Sequence, residues 1–394
     1  MRDQKLSPDL ETEILQLFKP LLIRLRMSGY FPYKVRKPKD QTNTLKLTFS
    51  PLNGYLYTPL LVFLSATLFI TLILNVRAIF DAEKLLGHMR AMCVILSVTL
   101  SLIVIMLLRV YAMAVPSGGL NVWKMNIRLL KTAQNKFSQN ITITEAAKHI
   151  RTRINRRVWT YTIIGLVQIL IVVVSNTSLM IEKEIITPKN IFLIASHGCY
   201  EILLFLHQGL SIAILGYISL FSAYFKMIGQ QLNLILARFH PNENPMMRTF
   251  LKKYNFYQIL GVPLVKPLID IENCDINLNS QLESILEFYD DVESGVNKYN
   301  KACNLYFIFE FAFQIHFFML KAFSIISLAL NDRDEFWTEM AKSIVHVLIA
   351  MVVIFSFTSE ATMLAETVST VLTYLWVIND RLCTQIDACI EWKV

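Results

Sequence analysis

Charged residues and chain-breaking residues are scarce in this sequence. Only 17% of the 394 residues are charged, and the 12 glycines and 12 prolines are fewer together than the 25 phenylalanines. With 54% hydrophobic residues and a mean hydropathy of +0.45, the chain is too apolar for one soluble domain of this size. The composition therefore indicates a membrane protein.

Several signatures of enzymes and secreted proteins are also missing. The sequence has no HExxH, no glycine-rich phosphate loop and no recognisable set of nucleophile, base and orienting group. Its six cysteines include no CxxC pair, so we expect free thiols. The first 20 residues are charged and amphipathic and lack the apolar core of a signal peptide. We therefore expect no enzyme, cofactor or metal, and an N-terminus that stays cytoplasmic.

Long apolar runs predict six membrane spans. A spanning helix needs roughly 20 apolar residues, because the hydrocarbon core is about 30 Å thick. Six stretches are long enough: 47–76, 91–108, 158–181, 190–225, 302–331 and 343–359. The apolar patch at 368–378 has only about half the required length, so a seventh span is absent or degenerate. The fold class is an all-α, polytopic membrane helix bundle.

The distribution of lysine and arginine predicts the orientation. Ten of these residues precede the first span, and nine lie between the second and third spans. Connections rich in positive charge stay in the cytoplasm, so both termini are predicted to lie inside, in a multi-pass protein of the plasma membrane. We interpret the basic run KHIRTRINRRVW as charge that meets anionic lipid of the bilayer, and we expect no nucleic acid partner.

Helices four to six are predicted to extend beyond the membrane. Residues 191–239 contain no proline, and the helical apolar pattern from 282 to 299 runs without a break into span five. Pro263 and Pro267 mark the turn between them. We predict a cytoplasmic N-terminal segment at 1–46, a bundle at 47–360 with a cytoplasmic stalk at about 226–302, and a cytoplasmic amphipathic helix or degenerate last span at 361–394. The stalk is interpreted as an assembly domain, because its apolar stripe needs a surface to pack against; the alternative is a solvated hairpin.

Ionisable residues inside spans are costly and indicate function. Counted from the outer ends of the spans, Glu201, Lys321 and His346 all lie about 14 to 15 Å deep. Helical spacing places polar residues of span four on one face and those of span five on another. The candidate ligand-binding residues are Glu201, Lys321, His346, His197, Gln314, Phe317, Tyr200 and Phe205.

Two interpretations of this set stay open. In the first, the residues line a ligand site in the outer half of the bundle, with Glu201 and Lys321 orienting the ligand and the aromatic rings as walls. In the second, Glu201 and Lys321 form a buried ion pair that fixes the helices and contacts no ligand. Arg109 and Glu310 are explained by snorkelling towards the inner interface, and His207 and His316 are expected to be hydrogen-bonded core residues.

The segment LQLFKPLLIRLRMSGYFPYKV, residues 15–35, resembles the N-terminal segment of insect gustatory receptors. Both have an amphipathic helix, a glycine, an aromatic residue, Phe-Pro and another aromatic residue, and LTFSPLNGYLYTPLLVFL resembles the entry into the first span of that family. The resemblance implies a tastant-gated, non-selective cation channel. It further implies a homo- or hetero-tetramer of related subunits around a central pore, with the tastant bound in the outer half of each bundle.

The tail departs from that family. The resemblance implies a seventh span that lines the pore and carries the motif Thr-Tyr, five apolar residues and Gln-Phe. In this chain Thr373 and Tyr374 match the start of that motif. Asp380 and Arg381 stand in place of Gln-Phe, without an apolar run of twenty residues around them. The patch is either a decayed seventh span or part of a cytoplasmic helix in a truncated, non-conducting modulatory subunit. A transporter or a G-protein-signalling receptor are further alternatives, although internal repeats and broken spans typical of transporters are not evident.

Overall fold

The computed structural model describes residues 15, 18–36, 46–83, 88–137, 142–182, 188–239, 274–329 and 336–391. Its helices are α1 Lys19–Met27, α2 Thr58–Glu83, α3 His88–Ala114, α4 Pro116–Phe137, α5 Thr142–Glu182, α6 Pro188–Phe239, α7 Cys274–Ala329 and α8 Phe336–Glu391. The helical fold class is thereby confirmed. The turn predicted at Pro263 and Pro267 lies outside the described residues.

A small antiparallel sheet separates α1 from the first span. Strands β1, Tyr33–Arg36, and β2, Lys46–Phe49, pair with Tyr33 opposite Phe49, and a π-helical turn, Leu52–Tyr57, leads into α2. The charge-free run that begins at residue 47 therefore starts in a strand, and helix begins only at residue 52. Sequence reasoning missed this hairpin because four-residue strands give too little alternation to detect.

Within the described part of the chain, six helices are long and apolar enough to cross a membrane, as predicted. They are Leu52–Val76, Met92–Ala114, Thr152–Val174, Ala195–Asn233, Ser280–Ala329 and Met340–Ile378. The fourth is the most deeply buried of the six, with 89% of its most apolar stretch inside the protein. Helix α6 is therefore the most interior of these six helices.

The patch TVLTYLWVIND lies within α8, a continuous helix of 56 residues. Val371, Tyr374 and Ile378 are buried, whereas Leu372 and Trp376 are exposed on the other side of the helix. This one-sided burial is the pattern of an amphipathic helix that packs on its neighbours. The patch therefore lies on the same unbroken helix as the sixth apolar run.

The chain divides into two compact units. The first comprises 1–127, 151–217 and 298–359, and the second comprises 128–150, 218–297 and 360–394. In the second unit Phe288 of α7 is fully buried, and its ring centre lies 5.4 Å from that of Phe137 and 6.4 Å from that of Tyr224. Ends of α4, α6, α7 and α8 thus share an apolar core of their own.

Candidate functional site

The first buried polar cluster surrounds Glu201 of α6, which is only 1% exposed. Gln168 of α5 donates from Nε2 to Glu201 Oε2 at 2.6 Å, and His346 Nε2 of α8 lies 3.3 Å from the same oxygen. His197 Nε2 lies 3.5 Å from Glu201 Oε1. A carboxylate in the bundle interior requires such partners, since an isolated buried charge is costly. All four residues belong to the first unit.

Helix geometry explains how these groups converge. His197 precedes Glu201 by four residues and so lies on the same face of α6. His346 Nδ1 donates to the backbone carbonyl of Lys342, one turn earlier, at 2.7 Å. In a neutral imidazole Nε2 must then accept, and the Gln168 amide lies 3.0 Å from it. The Gln168 amide can therefore donate to both Glu201 and His346.

Two features of this cluster are relevant to binding a further molecule: an unused hydrogen-bond acceptor and an exposed edge. The Gln168 Oε1 atom is buried and has no hydrogen-bond donor among the described residues. The His197 side chain is 43% exposed, so one edge of the cluster is accessible. A buried acceptor without a donor is energetically unfavourable. Gln168 Oε1 is therefore a hydrogen-bond acceptor that the described part of the protein leaves unused.

Aromatic residues of α7 line the cluster next to His346. The Phe317 ring centre lies 5.5 Å from the His346 ring, and Phe313 lies 5.5 Å from Phe317. The Lys321 ammonium lies 5.6 Å from the centre of the Phe317 ring. In one of the two interpretations of the sequence, Glu201 pairs with Lys321. In the structure the Glu201 carboxylate contacts Gln168 and two imidazoles, and the Lys321 ammonium faces Phe317.

The remaining predicted residues have other neighbours. Tyr200 donates its hydroxyl to Ser101 Oγ at 3.1 Å, and its ring lies 6.2 Å from that of His197. Phe205 lies under the guanidinium of Arg24, and Gln314 hydrogen-bonds to Glu310. His197, Glu201, His346, Phe317 and Lys321 therefore follow one another in a chain of contacts, with Tyr200 alongside. Gln314 belongs to a second cluster around Glu310, and Phe205 contacts Arg24.

The second cluster is centred on Glu310 of α7 and His207 of α6. His207 Nε2 approaches Glu310 Oε2 to 2.7 Å, within ion-pair distance although away from an ideal hydrogen-bond line. Ser211 donates to Glu310 Oε1 in a short hydrogen bond, and Gln314 donates to the same oxygen at 2.8 Å. Glu310 is 0% exposed, so the snorkelling explanation is wrong. His207 is a hydrogen-bonded core residue, as expected.

Tyr30 of the N-terminal segment completes this cluster. Its hydroxyl lies 2.5 Å from Nδ1 of His207. Burial raises the pKa of the Tyr30 hydroxyl, which therefore keeps its proton at neutral pH. With a neutral imidazole, the hydroxyl donates to Nδ1 and the Nε2–H faces Glu310. The N-terminal segment, α6 and α7 are thereby joined through three side chains.

A buried arginine of α3 holds the turn that precedes Tyr30. Arg109 donates from Nε to the Ser28 carbonyl at 3.2 Å and from Nη1 to Ser65 Oγ at 3.5 Å. Gly29 adopts a φ of 80°, a left-handed conformation that side chains disfavour. Arg109 is 0% exposed, so its assignment to the interface by snorkelling is also wrong. Its role is to satisfy backbone oxygen at the end of α1.

Arg24 of α1 contacts α6 directly. Its Nη2 donates to the Phe205 carbonyl at 2.7 Å, and its guanidinium lies 3.8 Å from the centre of the Phe205 ring. Burial lowers the pKa of Arg24 to about 10, so the side chain remains a cation at neutral pH. The charge is compensated by the ring face and the carbonyl.

Neither cluster has the arrangement of a metal site. Among the described residues, no group of three or more His, Cys, Asp or Glu side chains is placed to hold a metal ion. Cys93, Cys199 and Cys303 are free thiols, as predicted for the six cysteines. What the first cluster offers is hydrogen bonding and an aromatic wall.

The six apolar helices found among the described residues, with buried polar side chains on several of them, define a multi-pass membrane protein. No family model and no curated protein matches the chain. Among solved structures, the insect olfactory receptor OR5 from Machilis hrabei is similar with a TM-score of 0.58 and 14% sequence identity, over 96% of this chain and 89% of that chain. At this identity the likeness establishes the fold, which this chain shares with an insect olfactory receptor.

Proposed function

We propose that this chain is a gustatory receptor subunit of the insect chemoreceptor superfamily and acts as a tastant-gated, non-selective cation channel in the plasma membrane. The observation that carries the proposal is the fold shared with an insect olfactory receptor over 96% of the chain. The resemblance of residues 15–35 to insect gustatory receptors supports the gustatory role. In this proposal the N-terminus is cytoplasmic.

The tastant binds at the Glu201 cluster. Support comes from the free acceptor Gln168 Oε1 and from the accessible edge at His197. A ligand with hydroxyl or amine donors fits these acceptors, since it would satisfy the buried oxygen and compete for the Glu201 carboxylate. Phe317 offers a face for stacking.

Assembly uses the second compact unit, which contains most of the stalk predicted at 226–302 and of the tail predicted at 361–394. Leu372 and Trp376 expose apolar surface on α8, at 50% and 67%. In the proposed topology this part of α8 lies in the cytoplasm, where exposed apolar side chains are typical of interfaces between subunits. We propose a homo- or hetero-tetramer with related receptor subunits.

The test is electrical recording from oocytes that express the chain alone or with related subunits. The compounds are sucrose, fructose, caffeine, quinine and bicarbonate, with surface protein measured by biotinylation. In Glu201→Gln we expect the activation midpoint to shift roughly tenfold or more, because a charged hydrogen bond contributes about 1.5 to 3 kcal/mol. Glu360→Gln is the control, since Glu360 is an equally buried carboxylate that accepts from Ser219 in the other unit.

If the protein reaches the cell surface but no current is recorded, either from the chain alone or with any related subunit, the channel function is contradicted. An equal midpoint shift in the Glu360 variant contradicts a ligand at Glu201. Lys321→Met further separates the two interpretations of the sequence, since a shifted midpoint with normal expression supports contact with ligand.

A second candidate is a non-conducting modulatory subunit. The observation behind it is that Thr373 and Tyr374, which match the start of the family's pore motif, lie in the helix that continues span six. This candidate predicts no current from the chain alone and an altered midpoint or amplitude when it is co-expressed with a conducting relative. Current from the chain alone excludes it.

A further inference from the structure

The N-terminal segment, residues 18–33, docks into a groove on α6. A Cβ at Gly209 would overlap the Ser28 hydroxyl, and a Cβ at Gly216 would lie 3.3 Å from Leu21 Cδ2. Small residues allow helices in a membrane to approach this closely. Gly209 and Gly216 therefore form the floor of a groove that α1 occupies.

Two polar contacts fix the segment at defined residues of α6. Arg24 holds both the carbonyl and the ring of Phe205, four residues after Glu201. Tyr30 holds His207, which in turn faces Glu310 of α7. These anchors are buried, with Arg24 and Tyr30 only 4% and 7% exposed. The segment therefore contacts the two helical turns of α6 that follow Glu201.

We infer that Arg24 and Tyr30 are positioning residues for the Glu201 cluster. They set the rotation and height of α6, and hence the place of the Glu201 carboxylate relative to Gln168 on α5 and His346 on α8. Neither contacts the cluster, so both act through α6. The inference rests on the proposed function only in that the positioned cluster is the ligand site.

A steric test displaces the segment without removing any charge. Gly209→Ala places a methyl group against Ser28, and Ser28→Gly in the same chain removes the hydroxyl and the Cβ that this methyl group would meet, leaving of its three nearest atoms only the Arg24 carbonyl oxygen 3.2 Å away. Gly198→Ala is the matched control, because Gly198 is on the same helix as Gly209 and a Cβ added to it meets nothing within 4 Å. Full-length protein in lipid nanodiscs is compared by hydrogen-exchange mass spectrometry over residues 201–211.

A polar test removes one hydroxyl. Tyr30→Phe deletes the contact to His207. Tyr161→Phe deletes the hydroxyl of another buried tyrosine, which donates to Ser356 at 3.3 Å away from the groove. We expect Tyr30→Phe and Gly209→Ala to raise exchange over 201–211 roughly three- to tenfold, the effect of losing one buried hydrogen bond. Both controls keep wild-type exchange, and Ser28→Gly reverses most of the Gly209→Ala effect.

A second readout tests the place of Glu201 itself. Diethyl pyrocarbonate modifies accessible imidazoles. The His197 side chain is 43% exposed and contacts Glu201, so its rate of modification reports whether that contact is still made. We expect faster modification of His197 in Tyr30→Phe and Gly209→Ala and an unchanged rate in the two controls.

Faster exchange with an unchanged His197 rate overturns the positioning role, as does unchanged exchange in Gly209→Ala. Should Tyr30→Phe fail to fold, the Gly209 and Ser28 variants still decide the matter. Neither readout depends on current or on a tastant, so failure of the channel proposal and failure of this inference are distinguishable.

Discussion

The Tyr30 hydroxyl lies 2.5 Å from Nδ1 of His207, although the two residues are 177 positions apart in the chain. This contact brings an N-terminal segment into the middle of a membrane bundle and connects it with Glu310 on another helix. A chain of three polar side chains in an apolar interior fixes the helices that carry it, because each group is costly without its partner.

Removal of the carboxylate in that chain is expected to destabilise the protein. Glu310→Ala leaves the buried His207 and Ser211 without their partner, and we expect a loss of about 3 kcal/mol, because a buried polar group without a hydrogen-bond partner costs about 1 to 3 kcal/mol. Thermal unfolding followed by size-exclusion chromatography measures the change. Glu287→Ala is the control, since its side chain is 64% exposed and its pair with Lys136 contributes little. Equal losses in the two variants contradict a structural role for the Glu310 cluster.

Close packing between spans three and four gives a second prediction. A Cβ at Gly165 would overlap the Phe205 ring, whereas a Cβ at Gly198 meets nothing within 4 Å. Alanine in a helix normally stabilises by up to about 1 kcal/mol relative to glycine. We therefore expect Gly198→Ala to be neutral or stabilising and Gly165→Ala to lower the unfolding temperature. A higher unfolding temperature for Gly165→Ala would show that α5 and α6 are not packed this closely.

The aromatic core of the second unit gives a third prediction. Phe288→Ala empties the site between Phe137 and Tyr224, and we expect a loss of about 3 to 5 kcal/mol, the usual cost of this substitution in a core. Leu286→Ala, at a residue that is 40% exposed, is expected to cost much less. Thermal unfolding measures the loss, and native mass spectrometry shows whether subunits dissociate with it. Similar stability of the two variants contradicts a packed core at Phe288.

Topology gives a fourth prediction. Epitope tags at the two termini are expected to bind antibody only after cells are permeabilised, because the basic connections before span one and before span three keep those segments inside. A C-terminal tag that is accessible on intact cells means that residues 370–380 belong to a further crossing. An accessible N-terminal tag overturns the predicted orientation.

The long helices could be predicted because apolar length and the lack of prolines are properties of the local sequence. The contact between His197 and Glu201 follows from helical spacing, and the approach of Glu201 to His346 is consistent with the equal depth of the two residues in their spans. The first relationship depends only on the helical period, and the second only on the rise per residue along a helix, and both can be counted in the sequence.

Contacts that depend on how helices pack could not be predicted in this way. Arg109 and Glu310 were assigned to the interface from depth alone, and depth does not distinguish a side chain facing lipid from one facing the bundle. The partner of Arg109 is a carbonyl freed at the Gly29 turn, and the partner of Glu310 is a histidine that itself needs Tyr30. Such partners become visible only when the N-terminal segment is docked.

The most direct test of the central claim is the current evoked by the tastant panel in oocytes with equal surface amounts of wild-type and Glu201→Gln protein. The account predicts a cation current in the wild type, alone or with a related subunit, and a midpoint displaced roughly tenfold or more in the variant. A protein that reaches the surface and carries no current in any combination, or a variant with an unchanged midpoint, would contradict it.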